Sequence, residues 1–390
     1  MDSALLDIRS HPALQQPDWG NAEGVRQVRE ELAVRPALTT TEDIDLLHGW
    51  LAHVAGGEAH VVQSGDCAED PAECGVDDVA RKVALLDLLA GAMKMVTHKP
   101  VVRAGRIAGQ FAKPRSKRTE LIWGMELPVF RGHMANSPEP DPEGRRPDPL
   151  RLLTGYQSAS EIMGHLGWRN PDGWAAIDPP VWTSHEALLL DYELPMVRRD
   201  GKGRLVLTST HWPWIGDRTR QVDGAHVVLL SQVANPLACK IGPSITVDDL
   251  LLLCERLDPQ REKGRLTLIA RMGAEVVVDR LPALVSAVSA AGHPVIWLTD
   301  PMHENTVTAP NGLKTRFLET IECEVKEFQQ AVRSAGGTAG GLHLESTPDE
   351  VTECVVNESQ VDRVGDKYTT LCDPRLNPWQ AVSVVSCWRG

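Results

Sequence analysis

Eight short apolar runs in this sequence finish on residues that an apolar strand does not require. In chain order these are Cys67, Arg106, His185 with Glu186, Asp217 with Arg218, Lys240, Arg271, His303 and Glu345. One charged residue in such a place is a solvated strand end. Eight in succession, if one fold brings them to one mouth, are hard to attribute to solvation. They divide by chemistry. Arg106, Arg218, Lys240 and Arg271 are cationic, as are Lys113 and Arg115 just beyond the second run. An arginine fork matches carboxylate and phosphate oxygens, and a lysine adds a compact charge. The set therefore points to a ligand with more than one anionic group, for example two phosphates and a carboxylate. The competing reading is internal ion pairing with Asp66, Glu69, Glu186 and Asp217.

The other set is Cys67, His303 and Glu345, with Asp373 in "TLCDPRLNPW". A thiolate, an imidazole and two carboxylates make a mixed-ligand site for a divalent metal. The soft sulfur disfavours Mg²⁺ and Ca²⁺ and leaves Mn²⁺, Co²⁺, Fe²⁺ or Zn²⁺. Taken singly, Cys67 reads as a buried thiol and His303 as a satisfied histidine, and spacing along the chain does not join the four. A metal beside a rim that binds polyanions predicts Lewis-acid activation of a carbonyl on a phosphorylated small molecule. An aldol-type condensation, an isomerisation and a hydrolysis all fit.

The elements that would gather these residues follow a rhythm. "AHVVQSGDC", "PVVRAGR", "PPVWTSHEA", "TSTHWPWIGDR", "PLACKIG", "RLTLIARMG", "PVIWLTDPMH" and "GGLHLES" alternate with segments of helical periodicity such as "SITVDDLLLLCERL", "DRLPALVSAVSAAG" and "LKTRFLETIECEVKEFQQAVRSAG". Near-continuous apolar strands separated by helices predict a parallel sheet covered by helices. Eight repeats predict an α/β fold of the (β/α)8 TIM-barrel kind, in which catalytic groups lie at the C-terminal strand ends. A doubly wound open sheet is the alternative, but no GxGxxG opens a helix in the first βα unit. The first ~55 residues read as helical, with a capping-box spacing from Thr39 to Glu42 and a stop at Gly56–Gly57. The expected organisation is an N-terminal helical extension over 1–57 and a catalytic barrel over 58–390, one domain in all. The Pro- and charge-rich stretch 135–149 reads either as a solvated connector or as a wall of the active-site mouth.

Composition bounds the partners. The chain of 390 residues is 42% hydrophobic and 24% charged, with a formal net charge of -13. That charge argues against nucleic acid and anionic membranes, both of which want a basic face. Residues 105–120, "GRIAGQFAKPRSKRTE", are a local exception with five Arg or Lys. The first ten residues lack a secretory pattern and no apolar run is long enough to span a bilayer, which predicts a cytoplasmic protein. None of the eight cysteines forms a CxxC pair.

The motifs "QSGDCAE", "GRIAGQFAKPRS", "TSHEALLL", "WIGDRTRQVDGAH", "ANPLACKIGP", "LIARMG", "DPMHENT", "GGLHLE" and "CDPRLNP" occur in this order. Together they resemble the class II (plant-type) 3-deoxy-D-arabino-heptulosonate 7-phosphate (DAHP) synthases, from about residue 15 to 385. The resemblance implies a (β/α)8 barrel that condenses phosphoenolpyruvate with erythrose 4-phosphate and water. The products are DAHP and phosphate, at the entry to the shikimate pathway. It places the metal on Cys67, His303, Glu345 and Asp373. Phosphoenolpyruvate falls to Arg106, Asp217, Arg218, Lys240 and Arg271, with Trp214 packing nearby, and the aldose phosphate to Lys113, Arg115 and Ser116. Glu186 and Asp217 would orient water and Lys113 would protonate the developing alkoxide, with Arg218 beside them. Mn²⁺ or Co²⁺ is the expected metal, and a dimer or tetramer the expected assembly.

Three residues depart from the family pattern: Ser64 where Gly is usual, Glu304 where Gly is frequent, and Asp217 where Glu is frequent. The chain is short where feedback-regulated members carry extra helices. It resembles the short members of secondary-metabolite clusters, phenazine-type ones among them, which predicts weak or absent feedback inhibition. Three rivals stand beside this reading. They are a synthase of the same fold that uses an amino-sugar phosphate, a non-catalytic binding or regulatory homologue, and a metal-dependent aldolase or hydrolase of sugar phosphates.

Overall fold

The computed structural model describes residues 3–168 and 181–389. Every apolar run of the sequence contains a strand. These are β1 (His60–Gly65), β2 (Val101–Arg106), β3 (Trp182–Glu186), β4 (Trp212–Ile215), β5 (Leu237–Ile241), β6 (Leu266–Ala270), β7 (Ile296–Thr299) and β8 (Thr338–Glu345). The two prolines that open the third run lie outside the described residues. The strands close into one barrel in the order β1-β8-β7-β6-β5-β4-β3-β2, so that chain neighbours are sheet neighbours. The pairs β1–β8, β1–β2, β5–β6, β6–β7, β7–β8 and β3–β4 are parallel. The (β/α)8 barrel expected from the rhythm is the observed fold.

The chain forms two compact units. One comprises residues 1–44, 68–79 and 107–235 and carries β3 and β4. The other comprises 45–67, 80–106 and 236–390 and carries the other six strands. In the second unit, parallel strands buried on both faces need apolar side chains at nearly every position. β5 "LACKI" and β6 "LTLIA" are buried throughout, and Trp297 on β7 is 1% exposed. Each Leu or Ile among them contributes about 1.5–3 kcal/mol on burial. Lys240 interrupts one of these runs, and a charge in a fully apolar strand demands a partner.

Helices fill the connections where the periodicity puts them, over Val247–Leu257, Val277–Ala290 and Leu318–Ser334. The last segment differs from expectation at its start. Residues Lys314–Arg316 form a strand that pairs with Thr306–Thr308, and the helix begins only at Leu318. The N-terminal extension is helical over Ser3–Ser10, Ala22–Val34 and Thr41–Ala55. The cap of the third helix lies one residue later than its spacing suggested. Thr40 Oγ1 accepts the Asp43 N–H at 3.2 Å, while the Asp43 carboxylate accepts the Thr40 N–H at 3.2 Å. Asp43 thus takes the reciprocal role expected of Glu42. Gly57, at φ +74°, follows the helix end as expected.

In the first unit, a hairpin of Thr119–Ile122 with Met125–Pro128 precedes the Pro-rich stretch. That stretch is wrapped around its own arginine. Arg145, 4% exposed, donates to the carbonyls of Glu139 (2.8 Å), Pro138 (2.9 Å) and Pro128 (3.1 Å) and pairs with Glu120. Buried Asn136 donates to the Val129 and Arg145 carbonyls at 3.0 Å. The loop is internally cross-linked, not a loosely solvated connector. Among the described residues, no helix is long and apolar enough to cross a membrane.

Candidate active site

Parallel register aligns strand ends, and in the second unit this places opposite charges side by side. Gly65 on β1 is the register partner of Arg106 on β2 and of Glu345 on β8. A Cβ at Gly65 would lie 2.8 Å from the Arg106 carbonyl oxygen, so only glycine permits this approach. Arg106, 3% exposed, donates from Nη2 to Glu345 Oε1 (3.3 Å) and to the Cys67 carbonyl (3.2 Å), and from Nε to the Asp66 carbonyl (3.0 Å). Its Nη1 donates to His343 Nε2 at 2.8 Å, and His343 Nδ1 in turn donates to Gln63 Oε1 at 2.6 Å. Burial holds the His343 imidazole far below its usual range, with the Lys240 charge pulling the same way, so it serves as a neutral acceptor.

The ligand atoms of Cys67, Glu345 and Asp373 all lie within 4.8 Å of one another. Cys67 is 1% exposed and its Sγ is 3.8 Å from Asp373 Oδ2. Glu345 Oε2 accepts from Arg316 Nη1 at 2.8 Å, and Asp373 Oδ1 accepts from Lys314 Nζ at 2.8 Å. His303 stands just outside this group of three, with Nε2 3.9 Å from Glu345 Oε1. A buried thiol and two carboxylates that retain lone pairs, with an imidazole nitrogen at their edge, form a donor set that fits a divalent transition metal.

Asp300 organises the side of the site away from the thiol. It is fully buried, and its Oδ2 accepts from Lys240 Nζ (2.7 Å) and from His303 Nδ1 (2.7 Å). Its Oδ1 accepts the N–H groups of Met302 (3.2 Å) and His303 (3.3 Å). Burial works against the Asp300 charge, but His303 and Lys240 outweigh it and hold the carboxyl well below its usual range. Burial lowers the His303 imidazole against the pull of Asp300, leaving it neutral with Nδ1 as donor and Nε2 as the free lone pair. Burial likewise lowers the Lys240 ammonium. Arg271, the residue after β6, donates from Nη2 to Glu304 Oε1 at 2.5 Å.

The first unit holds the remaining candidates. Glu69 is buried, and its carboxylate accepts the N–H groups of Ala108 (3.1 Å), Gly109 (2.9 Å) and Gln110 (2.7 Å). Ala108 takes a left-handed φ of +64°, which turns these three N–H groups toward one anion. The loop so fixed leads to Lys113, whose N–H bonds the Arg131 carbonyl at 2.9 Å, and to Arg115, whose N–H bonds Gln15 Oε1 at 2.9 Å. Arg131 Nη1 also approaches Gln15 Oε1 (3.4 Å), and burial, with the like charges of Arg115 and Arg118, lowers the Arg131 guanidinium. Lys117 and Arg118 are exposed. Arg218 donates from Nη2 to Ser116 Oγ at 2.7 Å, so two residues expected to serve different substrates are in contact. Asp217 pairs with Arg220 at 2.8 Å. Trp214 on β4 is 1% exposed and is the register partner of Glu186 on β3.

The cations are paired, but with other acids than the sequence suggested. Asp66 pairs with Lys82 (3.1 Å) and Arg375 (2.6 Å), Glu69 takes backbone N–H groups, and Asp217 takes Arg220. Arg106, Lys240 and Arg271 instead meet Glu345, Asp300 and Glu304. Sequence reasoning passed over Asp300, although it sits at the end of β7 three residues before His303. It also passed over His343, which lies two residues before Glu345 and so shares its face of β8. Arg316 and Arg131 carry no such positional signal.

A family model described as the Class-II DAHP synthetase family matches residues 4–180 and 176–387. A probable phospho-2-dehydro-3-deoxyheptonate aldolase of Pseudomonas fluorescens is 57% identical over 390 residues, covering 100% of this chain and 98% of the relative. The phospho-2-dehydro-3-deoxyheptonate aldolase of Streptomyces coelicolor is 39% identical, covering 97% of this chain and 94% of the relative. That of Mycolicibacterium smegmatis is 36% identical, covering 99% and 93%. With the barrel and the acid-lined cationic strand ends in place, these matches establish that the chain belongs to the class-II DAHP synthetase family and is an enzyme of it.

Proposed function

We propose that this enzyme condenses phosphoenolpyruvate with erythrose 4-phosphate and water to give DAHP and inorganic phosphate, the first step of the shikimate pathway. The observation that carries the reading is the convergence of Cys67, Glu345 and Asp373 within 4.8 Å, with the guanidinium of Arg106 bonded to one of the three. Metal-ligand chemistry and anion-binding chemistry meet there.

Cys67, Glu345 and Asp373, with His303 at their edge, would hold the divalent metal, Mn²⁺ or Co²⁺ in preference to Fe²⁺ or Zn²⁺. When bound, such an ion supplies Lewis-acid polarisation of the aldose aldehyde. Arg106, Lys240 and Arg271 hold the carboxylate and phosphate of phosphoenolpyruvate, which fixes its C3 for attack. Lys113, Arg115 and Ser116 hold the phosphate of the aldose. The new bond joins phosphoenolpyruvate C3 to the aldehyde carbon, and Lys113 gives a proton to the aldehyde oxygen. Water, oriented by Glu186 and Asp217, then adds at C2 and loses a proton to one of these carboxylates. The C2–O bond to phosphate then breaks as the ketone forms, and the proton of the C2 hydroxyl leaves with the phosphate.

The deciding assay is phosphoenolpyruvate consumption with erythrose 4-phosphate, before and after EDTA, with Mn²⁺ or Co²⁺ restored. Activity should vanish and return, and Cys67→Ser should lack the metal-dependent rate. Full activity of Cys67→Ser, or turnover only with an amino-sugar phosphate, would refute the site or the substrate. We further infer a cytoplasmic dimer or tetramer that feeds a secondary-metabolite pathway with weak feedback control. Strong inhibition by Phe, Tyr or Trp would overturn that part.

A further inference from the structure

The loop that carries His303 also carries Glu304. Its φ is +67°, a left-handed conformation that glycine enters freely and glutamate only at a cost. The flanking residues leave little room to relax. Asp300 Oδ1 takes the N–H groups of Met302 and His303, while Asn305 Nδ2 donates to Glu324 Oε2 (2.5 Å) and Asn305 Oδ1 accepts the Ala274 N–H (3.1 Å). Opposite lies Gly273, where an added Cβ would sit 3.1 Å from the Glu304 Cβ. A strained side chain kept in such a frame has a contact that holds it there. That contact is Arg271, whose Nη2 is 2.5 Å from Glu304 Oε1. The Arg271 side chain is 11% exposed and that of Glu304 is 41% exposed. The cation is therefore fixed, and its acidic partner has a path to solvent. Among the described residues, the ion pair of Glu304 is with Arg271 and not with the metal-ligand group.

We propose that the Glu304 carboxylate occupies the Arg271 guanidinium until phosphoenolpyruvate displaces it, and so sets the affinity of the site. The inference rests on the reading that Arg271 binds phosphoenolpyruvate. Binding then becomes an exchange of one anion for another. Every anion that takes this place on Arg271 meets the same cost, so Glu304 sets affinity and leaves the ratio between competing anions unchanged.

Glu304→Gln removes the charge and keeps the backbone strain; Glu304→Gly removes both. With Mn²⁺-loaded protein, phosphoenolpyruvate and pyruvate are titrated by calorimetry, and KM and kcat are measured. Both variants should bind phosphoenolpyruvate about 1.4- to fivefold tighter, the range expected for release of a partly exposed ion pair, with the change carried by KM. Pyruvate should gain by no larger a factor than phosphoenolpyruvate does, and the Gly variant should melt above the Gln variant. Unchanged or weaker phosphoenolpyruvate binding in both variants would overturn the proposal and make Glu304 a support for Arg271. Arg271→Gln separates the two levels. If it binds phosphoenolpyruvate as well as wild type, the role of Arg271 fails. If it binds poorly while Glu304→Gln is unchanged, only the exchange fails.

Discussion

Asp300→Asn tests the site through a residue that is proposed to touch neither metal nor substrate. The substitution preserves shape, and Oδ1 can still accept the N–H groups of Met302 and His303. At the Oδ2 position it replaces an acceptor of two bonds at 2.7 Å with an NH₂ that faces two donors, Lys240 Nζ and His303 Nδ1. Two consequences follow. Lys240, 9% exposed at its side chain, loses its charge partner, and breaking a buried pair by removing one member costs about 3–5 kcal/mol. His303 must turn its Nδ1 into an acceptor, which moves the ring proton to Nε2 and removes the lone pair that faces Glu345. Loss of such an orienting partner weakens metal binding by about 10- to 100-fold. Thermal unfolding of the metal-free protein measures the first effect and Mn²⁺ titration by calorimetry the second. A variant that melts and binds Mn²⁺ like wild type would refute the assignment of Asp300 as the organiser of Lys240 and His303. A loss of stability with Mn²⁺ affinity retained would refute the tautomer argument alone.

Two further outcomes are expected. Burial pushes the Glu324 carboxyl up to about 8 from 4.5, against the hydrogen bond from Asn305. Between those values the unfolded chain has released this proton and the folded chain has not. Glu324 therefore makes stability fall as pH rises through that window, by up to about 1.4 kcal/mol per pH unit. Denaturant unfolding of Glu324→Gln from pH 5 to 8 should show a flatter profile; parallel profiles would exclude the effect. Glu69→Ala strips the acceptor from three buried N–H groups, each worth about 1–3 kcal/mol when left unsatisfied. It should lower the melting temperature and raise KM for erythrose 4-phosphate more than KM for phosphoenolpyruvate, and equal KM values would show that the nest does not position Lys113 and Arg115.

The barrel could be read from sequence because its signal is local and repeated. A strand buried on both faces must be apolar at nearly every position, as "LTLIA" is, and a charge at its end then stands out. Cys67 and Glu345 stand out by that contrast, and they converge with Asp373, which lies beyond the eighth strand in "TLCDPRLNPW". The hairpins at 119–128 and 306–316 escaped because they are short and partly exposed, and Lys314–Arg316 runs straight into a helix. The wrong choice of counter-ions has another cause. Sequence lists which acids lie near a cation along the chain, but parallel register decides which lie beside it, and Gly65 sets Glu345 and not Asp66 against Arg106. Glu304 was flagged as a departure, yet its partner depended on a backbone angle, +67°, that no residue type announces.

The cations that surround the ligand group bear on what would draw a metal ion to it. Glu345 and Asp373 lean on Arg106, Arg316 and Lys314, so their negative charge is already neutralised by the protein itself. Three cations face two carboxylates, so net charge does not invite a divalent cation into this group. The attraction for one would have to come from the donor atoms themselves, with Cys67 entering as the thiolate, and loading should therefore release a proton.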